Sequence, residues 1–170
     1  MNGHNAWSRH ASEATRAWTT AAAVIDPEVP VLTIDDLGIL REVMVTDTGV
    51  EVVVTPTYSG CPAMETIRED VVRALAAEGF GHVTVRLTLS PAWTTDWISD
   101  AGKAALERFG IAAPTGRTAV NGPVALSLAV KCPHCQSLDT RELSHFGSTA
   151  CKALYECRAC GEPFDFLKPF

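Results

Sequence analysis

The sequence predicts a mixed α/β (α+β) protein: an α-β-β-α-β-α domain on one mixed three-stranded sheet, followed by a small four-cysteine zinc ribbon. Three observations carry this. Two Cys-x-x-Cys pairs, Cys132-Pro133-His134-Cys135 and Cys157-Arg158-Ala159-Cys160, stand near the C-terminus with enough chain between them for a hairpin. Upstream, segments with apolar residues at three- and four-residue spacings alternate with runs of branched residues. A stretch rich in proline and glycine separates the two regions.

Ser12 to Ile25 reads as a helix of small and apolar residues, stopped at Asp26-Pro27 because the residue before a proline is pushed out of the helical region. The run DPEVPVLTIDD (residues 26–36) holds two prolines and four acids and reads as a loop or short turn. Gly38–Val45 and Val50–Thr57 are strands around an Asp47-Thr48-Gly49 turn, which predicts an antiparallel hairpin. Ala63–Glu78 is an amphipathic helix through Met64, Ile67, Val71 and Leu75, and Gly79 suits its C-terminal cap. His82–Leu89 alternates as a half-buried strand does, and Ser90-Pro91 ends it. Thr95–Phe109 is the last helix of the domain, closed by Gly110, with Trp93 and Trp97 at its start as core or interface residues. The domain therefore spans residues 1–113 and residues 114–123 form a linker within the loop-like run 111–123. Residues 124–170 form the ribbon: a short strand at Val124–Val130, pairing of Thr140–Phe146 with Lys152–Glu156, and a third strand at Phe164–Phe166. The aromatic tail that follows would cover the ribbon's thin core or dock on a partner.

Composition narrows the function classes. The chain has 170 residues, 46% hydrophobic and 20% charged, as a soluble globular protein does. No apolar run approaches the roughly 20 residues that cross a bilayer, and no signal peptide is recognisable at the start. The expected address is the cytoplasm, where cysteines are thiols or metal ligands and not disulfides. The formal charge is −6 and no basic stripe is present, which argues against nucleic acid as a partner. No phosphate loop, serine elbow or zinc-protease helix is found, and the Glu-x-x-His pattern of a di-iron oxygenase is read as absent, with too few helices to carry it. The chain is read as non-catalytic.

Cys132, Cys135, Cys157 and Cys160 are the candidate metal ligands. Two tight turns, each presenting two thiolates, complete a tetrahedral shell, and a module this small needs a metal to fold. Zinc is expected, with mononuclear iron or an iron–sulfur cluster on the same thiolates left open by spacing alone. Cys151 is a fifth cysteine in the ribbon, read as a small buried residue and as an alternative ligand. Cys61 stands apart, after a strand–loop and before Pro62 at the start of a helix, where unpaired N–H groups would lower its pKa. No Lys or Arg lies close to it in sequence, so strong activation is not expected. Asp26 and Glu28, with Asp35 and Asp36, would either join Cys61 in an acidic cleft or cap local turns.

The run DPEVPVLTIDDLGILREV, the loop TPTYSGCP and the segment WTTDWISDAGKAALERFGIAAP resemble the MIP18/DUF59 family. The tail, KCPHC with FGSTACKALYECRACGEPFDFLKPF, is similar to its PaaD-type (PaaJ-type) branch, associated with the bacterial phenylacetyl-CoA oxygenase complex of aerobic phenylacetate breakdown. The resemblance implies an iron–sulfur-assembly domain with a zinc-ribbon tail, and an accessory or maturation role toward oxygenase components, not catalysis. It implies Cys61 as the residue that transiently handles iron or an iron–sulfur cluster, with Asp26 and Glu28 in the family's acidic motif. A homodimer that pairs two Cys61 ligands would be one route to a complete cluster site. A stoichiometric structural subunit and a nucleic-acid-binding ribbon regulator are the rival readings.

Overall fold

Parallel and antiparallel strands meet in the N-terminal half of the computed structural model, which describes residues 3–114 and 130–169. The chain divides into two compact units, Met1–Trp93 and Thr94–Phe170.

In the first unit, α1 (Gly3–Ala22) is followed by the hairpin β1 (Leu40–Thr46) and β2 (Gly49–Val54), then α2 (Ala63–Ala77) and β3 (Val83–Leu87). The sheet order is β1-β2-β3, with β1 antiparallel and β3 parallel to the central strand. The parallel pairing follows from α2, which carries the chain back to the start of the sheet. Val50, Val52, Val53 and Val54 of β2 are buried, and Ile67, Val71 and Leu75 of α2 are fully buried at helical spacing. Gly49 is required at the hairpin: its φ is +148°, and a Cβ there would lie 2.3 Å from the His82 carbonyl oxygen.

Two expectations change here. The first helix runs from Gly3, well before Ser12, and ends at Ala22, short of Ile25. The chain leaves it early because Ile25 bridges Thr33, the Ile34 N–H donates to the Val24 carbonyl at 2.9 Å, and the Asp26 N–H donates to the Leu32 carbonyl. The segment 26–36, expected as a loop or short turn, is built of turns that form an ordered strap burying Val29, Leu32 and Ile34. Thr33 and Asp36 lock its end reciprocally: the Thr33 hydroxyl donates to the Asp36 carboxylate at 2.9 Å and accepts from the Asp36 N–H at 2.9 Å.

In the second unit a 3₁₀ turn (Thr95–Trp97) precedes α3 (Asp100–Phe109). The continuous helix expected from Thr95 is broken because Ser99 is extended and caps α3, accepting from the Gly102 N–H at 2.9 Å. Trp93 precedes this turn; it is buried in the first unit and donates its Nε1–H to the Leu37 carbonyl at 2.8 Å. Gly110, left-handed at φ 87°, ends α3 as expected. The chain then enters a strand where the composition predicts loop: β4 (Ile111–Ala112) pairs in parallel with β7 (Pro163–Leu167). The division between units falls before α3. The linker proper (114–123) and the expected strand at 124–130 lie, save their end residues, outside the described residues. β5 (Thr140–Ser144), β6 (Lys152–Cys157) and β7 complete an antiparallel meander in the order β4-β7-β6-β5. Its small core holds Ala112, Val130, Cys132, Cys157 and Phe164, with Tyr155 and Phe166 packed on it.

Candidate metal centre and thiol site

Each Cys-x-x-Cys folds into the same turn. After the first pair, the Gln136 N–H donates to the Cys132 carbonyl at 2.9 Å and the Cys132 N–H donates to the Ser137 carbonyl at 2.9 Å. After the second, the Gly161 N–H donates to the Cys157 carbonyl at 2.8 Å and the Cys157 N–H to the Glu162 carbonyl at 3.0 Å. The residue following each pair is left-handed, Gln136 at φ 64° and Gly161 at φ 78°, because the chain must reverse there to aim both thiols at one point.

The two turns bring all four sulfurs within 4.8 Å of one another, the one such group of three or more metal-binding side chains among the described residues. Cys135 Sγ lies 3.4 Å from Cys157 Sγ, and Cys132 Sγ lies 3.9 Å from Cys160 Sγ. A tetrahedral ion with Zn–S bonds of about 2.3 Å sets sulfur–sulfur edges of about 3.8 Å, so the cage fits a tetrahedral thiolate-bound metal. Cys157 is held down to about 7 although burial pushes it up, because the N–H groups of Cys160 and Ala159 and the Cys135 thiol hydrogen-bond to its sulfur. Cys132 and Cys157 are fully buried, whereas Cys135 and Cys160 are exposed. Cys151 lies outside this group; it is buried, with its sulfur 3.0 Å from the Thr149 hydroxyl.

Cys61 sits at the start of α2, with its N–H donating to the Tyr58 carbonyl at 3.1 Å and its side chain half-buried. The strap brings Asp26 and Glu28 close enough to act on the thiol electrostatically. The direction of its pKa corrects the sequence expectation. Burial, the largest influence, pushes it up; Glu28 and Asp26 add to this; and hydrogen bonds from the Ala63 backbone and the Thr57 side chain, which pull it down, do not prevail. The helix start does favour the thiolate, as read from sequence, but less than burial and two carboxylates oppose it. Pro62, expected as the first helical residue, is the N-cap of α2 and offers no side-chain cap.

Asp26 is both a neighbour of Cys61 and a cap. Its Oδ1 accepts from the N–H groups of Glu28 and Val29, each at 2.8 Å, and its side chain is buried. Asp35 is exposed, and Asp36 is engaged with Thr33. Sequence reasoning missed Thr57, although its place four residues before Cys61 in the loop TPTYSGC was a usable signal. The expected absence of Glu-x-x-His is corrected: Glu142 to His145 has that spacing, but at strand β5 and not on a helix, with His145 Nδ1 3.4 Å from Glu142 Oε1. Among the described residues no helix is long and apolar enough to cross a membrane.

Comparison with known proteins follows this division. Residues 18–87 match the family model described as an iron–sulfur cluster assembly protein, and residues 117–168 match the PaaD zinc beta ribbon domain. A protein of Escherichia coli K12, named as one of the subunits of a "Putative 1,2-phenylacetyl-CoA epoxidase", is 46% identical over 151 residues, covering 89% of this chain and 90% of that one. A protein of Porphyromonas gingivalis W83, named "Fe-S protein maturation auxiliary factor", is 39% identical over 79 residues, 45% of this chain and 74% of that one. The crystal structure of a DUF59 domain of unknown function from Bacillus anthracis aligns with a TM-score of 0.55 at 25% identity, covering 58% of this chain and 95% of that one. With an assembly-type α+β domain, a four-cysteine ribbon and a full-length relative at this identity, the chain belongs to the PaaD family, the ribbon-bearing branch of the MIP18/DUF59 proteins.

Proposed function

We propose that this protein is a non-catalytic accessory factor of a phenylacetyl-CoA oxygenase system, acting in the cytoplasm to help place iron or an iron–sulfur cluster in an oxygenase or reductase component. The observation that carries this reading is the contrast between its two thiol sites. Four cysteines gather into a closed cage that fits a resident ion, for which zinc is the reading we adopt. Cys61 stands alone in the assembly-type unit, half-buried beside Asp26 and Glu28, with its pKa raised. A thiol that keeps its proton holds a soft metal weakly until the metal displaces that proton, and neighbouring carboxylates favour a cation's approach. One sulfur cannot complete a coordination shell, so cargo at Cys61 would be shared with the client and released to it. The names of the two relatives, an epoxidase subunit and a maturation factor, support the same assignment.

Complementation tests it. A deletion strain carrying Cys61→Ala is expected to grow poorly on phenylacetate while growing normally on succinate. Full restoration by Cys61→Ala would remove the proposed role. The name of the Escherichia coli relative favours a second reading, a stoichiometric structural subunit. Purification of the mature oxygenase separates the two: the accessory reading expects the active complex without this chain, the structural reading expects it in equal amount.

A further inference from the structure

The ribbon's four sulfurs differ in access, and the difference is ordered. In each turn the first cysteine is fully buried and the second is exposed: Cys132 and Cys157 lie in the core with Val130 and Phe164, while Cys135 and Cys160 face solvent. A close sulfur–sulfur approach of 3.4 Å joins an exposed thiol of one turn to a buried thiol of the other, Cys135 to Cys157. Its counterpart by the local symmetry of the turns, Cys132 to Cys160, is longer at 3.9 Å.

Resting on the reading of these thiols as a resident metal site, we infer that Cys135 and Cys157 are an oxidation-sensitive pair: a hydroperoxide enters at Cys135, and Cys157 closes a disulfide between the two turns that releases the metal. The exposed Cys135 thiolate attacks the peroxide O–O bond, giving a sulfenic acid and, with one proton, a water. The buried Cys157 thiolate attacks the Cys135 sulfur, forming the S–S bond and expelling hydroxide, which a second proton converts to water. The two sulfurs together lose two electrons, and hydrogen peroxide is reduced to two waters. A disulfide needs about 2.05 Å between sulfurs, so the pair must close by about 1.4 Å from its 3.4 Å separation. The cation then keeps two thiolates of four, those of Cys132 and Cys160, and its hold is lost. A dithiol reductant reverses the bond and restores the cage.

The order of burial selects which disulfide forms. Cys157 is shielded from solvent oxidant and lies 3.4 Å from the exposed Cys135 across the turns, so oxidation is expected to link the two turns and not the two cysteines of one turn. The sequence makes this readable, because Arg158 lies between Cys157 and Cys160 and trypsin places them on different peptides. Full-length protein is loaded with one equivalent of zinc, verified by elemental analysis, and titrated anaerobically with hydrogen peroxide beside a chromophoric zinc dye. The expected result is one zinc released per disulfide, peptide 132–141 joined through Cys135 to peptide 153–158, and recovery of zinc binding after dithiothreitol. Zinc retained at peroxide levels that oxidise Cys61, or peptide 153–158 joined to the peptide beginning at Ala159, would overturn the inference while leaving the metal site standing. A protein that takes up no metal before peroxide is added would overturn the metal-site reading itself, and this inference with it.

Discussion

Asp26 offers a perturbation that separates its structural part from its electrostatic one. Its Oδ1 accepts two N–H groups, those of Glu28 and Val29, at 2.8 Å each, and the side chain is 5% exposed. Asp26→Ala leaves both donors without that acceptor. The Val29 amide is buried and the Glu28 amide part-buried; an unpaired buried amide costs about 1–3 kcal/mol and a part-exposed one less, and relief of the carboxylate's own desolvation returns part of this. The expected loss is about 1–3 kcal/mol, a drop of roughly 1.3 M in urea midpoint at a slope of about 1.5 kcal/mol/M. Asp26→Asn keeps an acceptor oxygen and forgoes only the charge assistance, about 1 kcal/mol. It also removes one of the two carboxylates that raise the Cys61 pKa, so the thiol should titrate lower, though burial, the larger influence, remains. Urea unfolding followed by tryptophan fluorescence, with Trp93 buried against the same unit, measures the first effect. The pH dependence of iodoacetamide labelling at Cys61 measures the second. An Asp26→Ala protein within about 0.5 kcal/mol of the parent, the ordinary range of a surface change, or an Asn variant as unstable as the Ala one, would refute the capping role. An unchanged labelling profile in Asp26→Asn would refute the electrostatic one.

Three further outcomes are expected. Gly49→Ala places a Cβ 2.3 Å from the His82 carbonyl oxygen at a φ of +148°, and should cost about 3 kcal/mol or more, in the range of the large backbone effects; near-parental stability in urea would contradict this. Gly161→Ala meets no atom within 4 Å, so only the left-handed backbone opposes it. A loss of about 1–2 kcal/mol, or roughly tenfold in metal affinity, is expected by competition with a chelator. Because Cys61 titrates higher in the folded protein than its ordinary value, its contribution to stability is fully present below that ordinary value and is lost as pH rises through the folded one. Cys61→Ala should therefore flatten the alkaline decline in stability, and an identical pH profile would count against the raised pKa.

Much of the fold was legible because it follows from periodicity and punctuation. The hairpin around Asp47-Thr48-Gly49 and the helix through Met64, Ile67, Val71 and Leu75 are local patterns whose burial reads directly from sequence. The four-cysteine cage was legible for the same reason: two short motifs fix their own turns. What sequence could not carry was long-range pairing. Ile111 and Ala112 look like the start of a linker until Asp165 and Phe166 lie beside them in register, far along the chain. The strap at 26–36 looks polar by its prolines and acids, yet Val29, Leu32 and Ile34 within it are buried. The Cys61 pKa escapes sequence reading in the same way, since the helix start is visible in sequence and the approach of Asp26 and Glu28 is not.

The division of labour between a permanent cage and a single transient thiol is tested most directly by metal counting. Protein isolated with zinc is incubated anaerobically with ferrous iron and sulfide, desalted, and analysed for zinc, iron and its ultraviolet–visible spectrum, beside Cys61→Ala treated in the same way. The account predicts one zinc retained in both proteins, with iron bound by the parent and lost from the variant. Iron that displaces zinc from the four cysteines, or that loads equally onto Cys61→Ala, would contradict it.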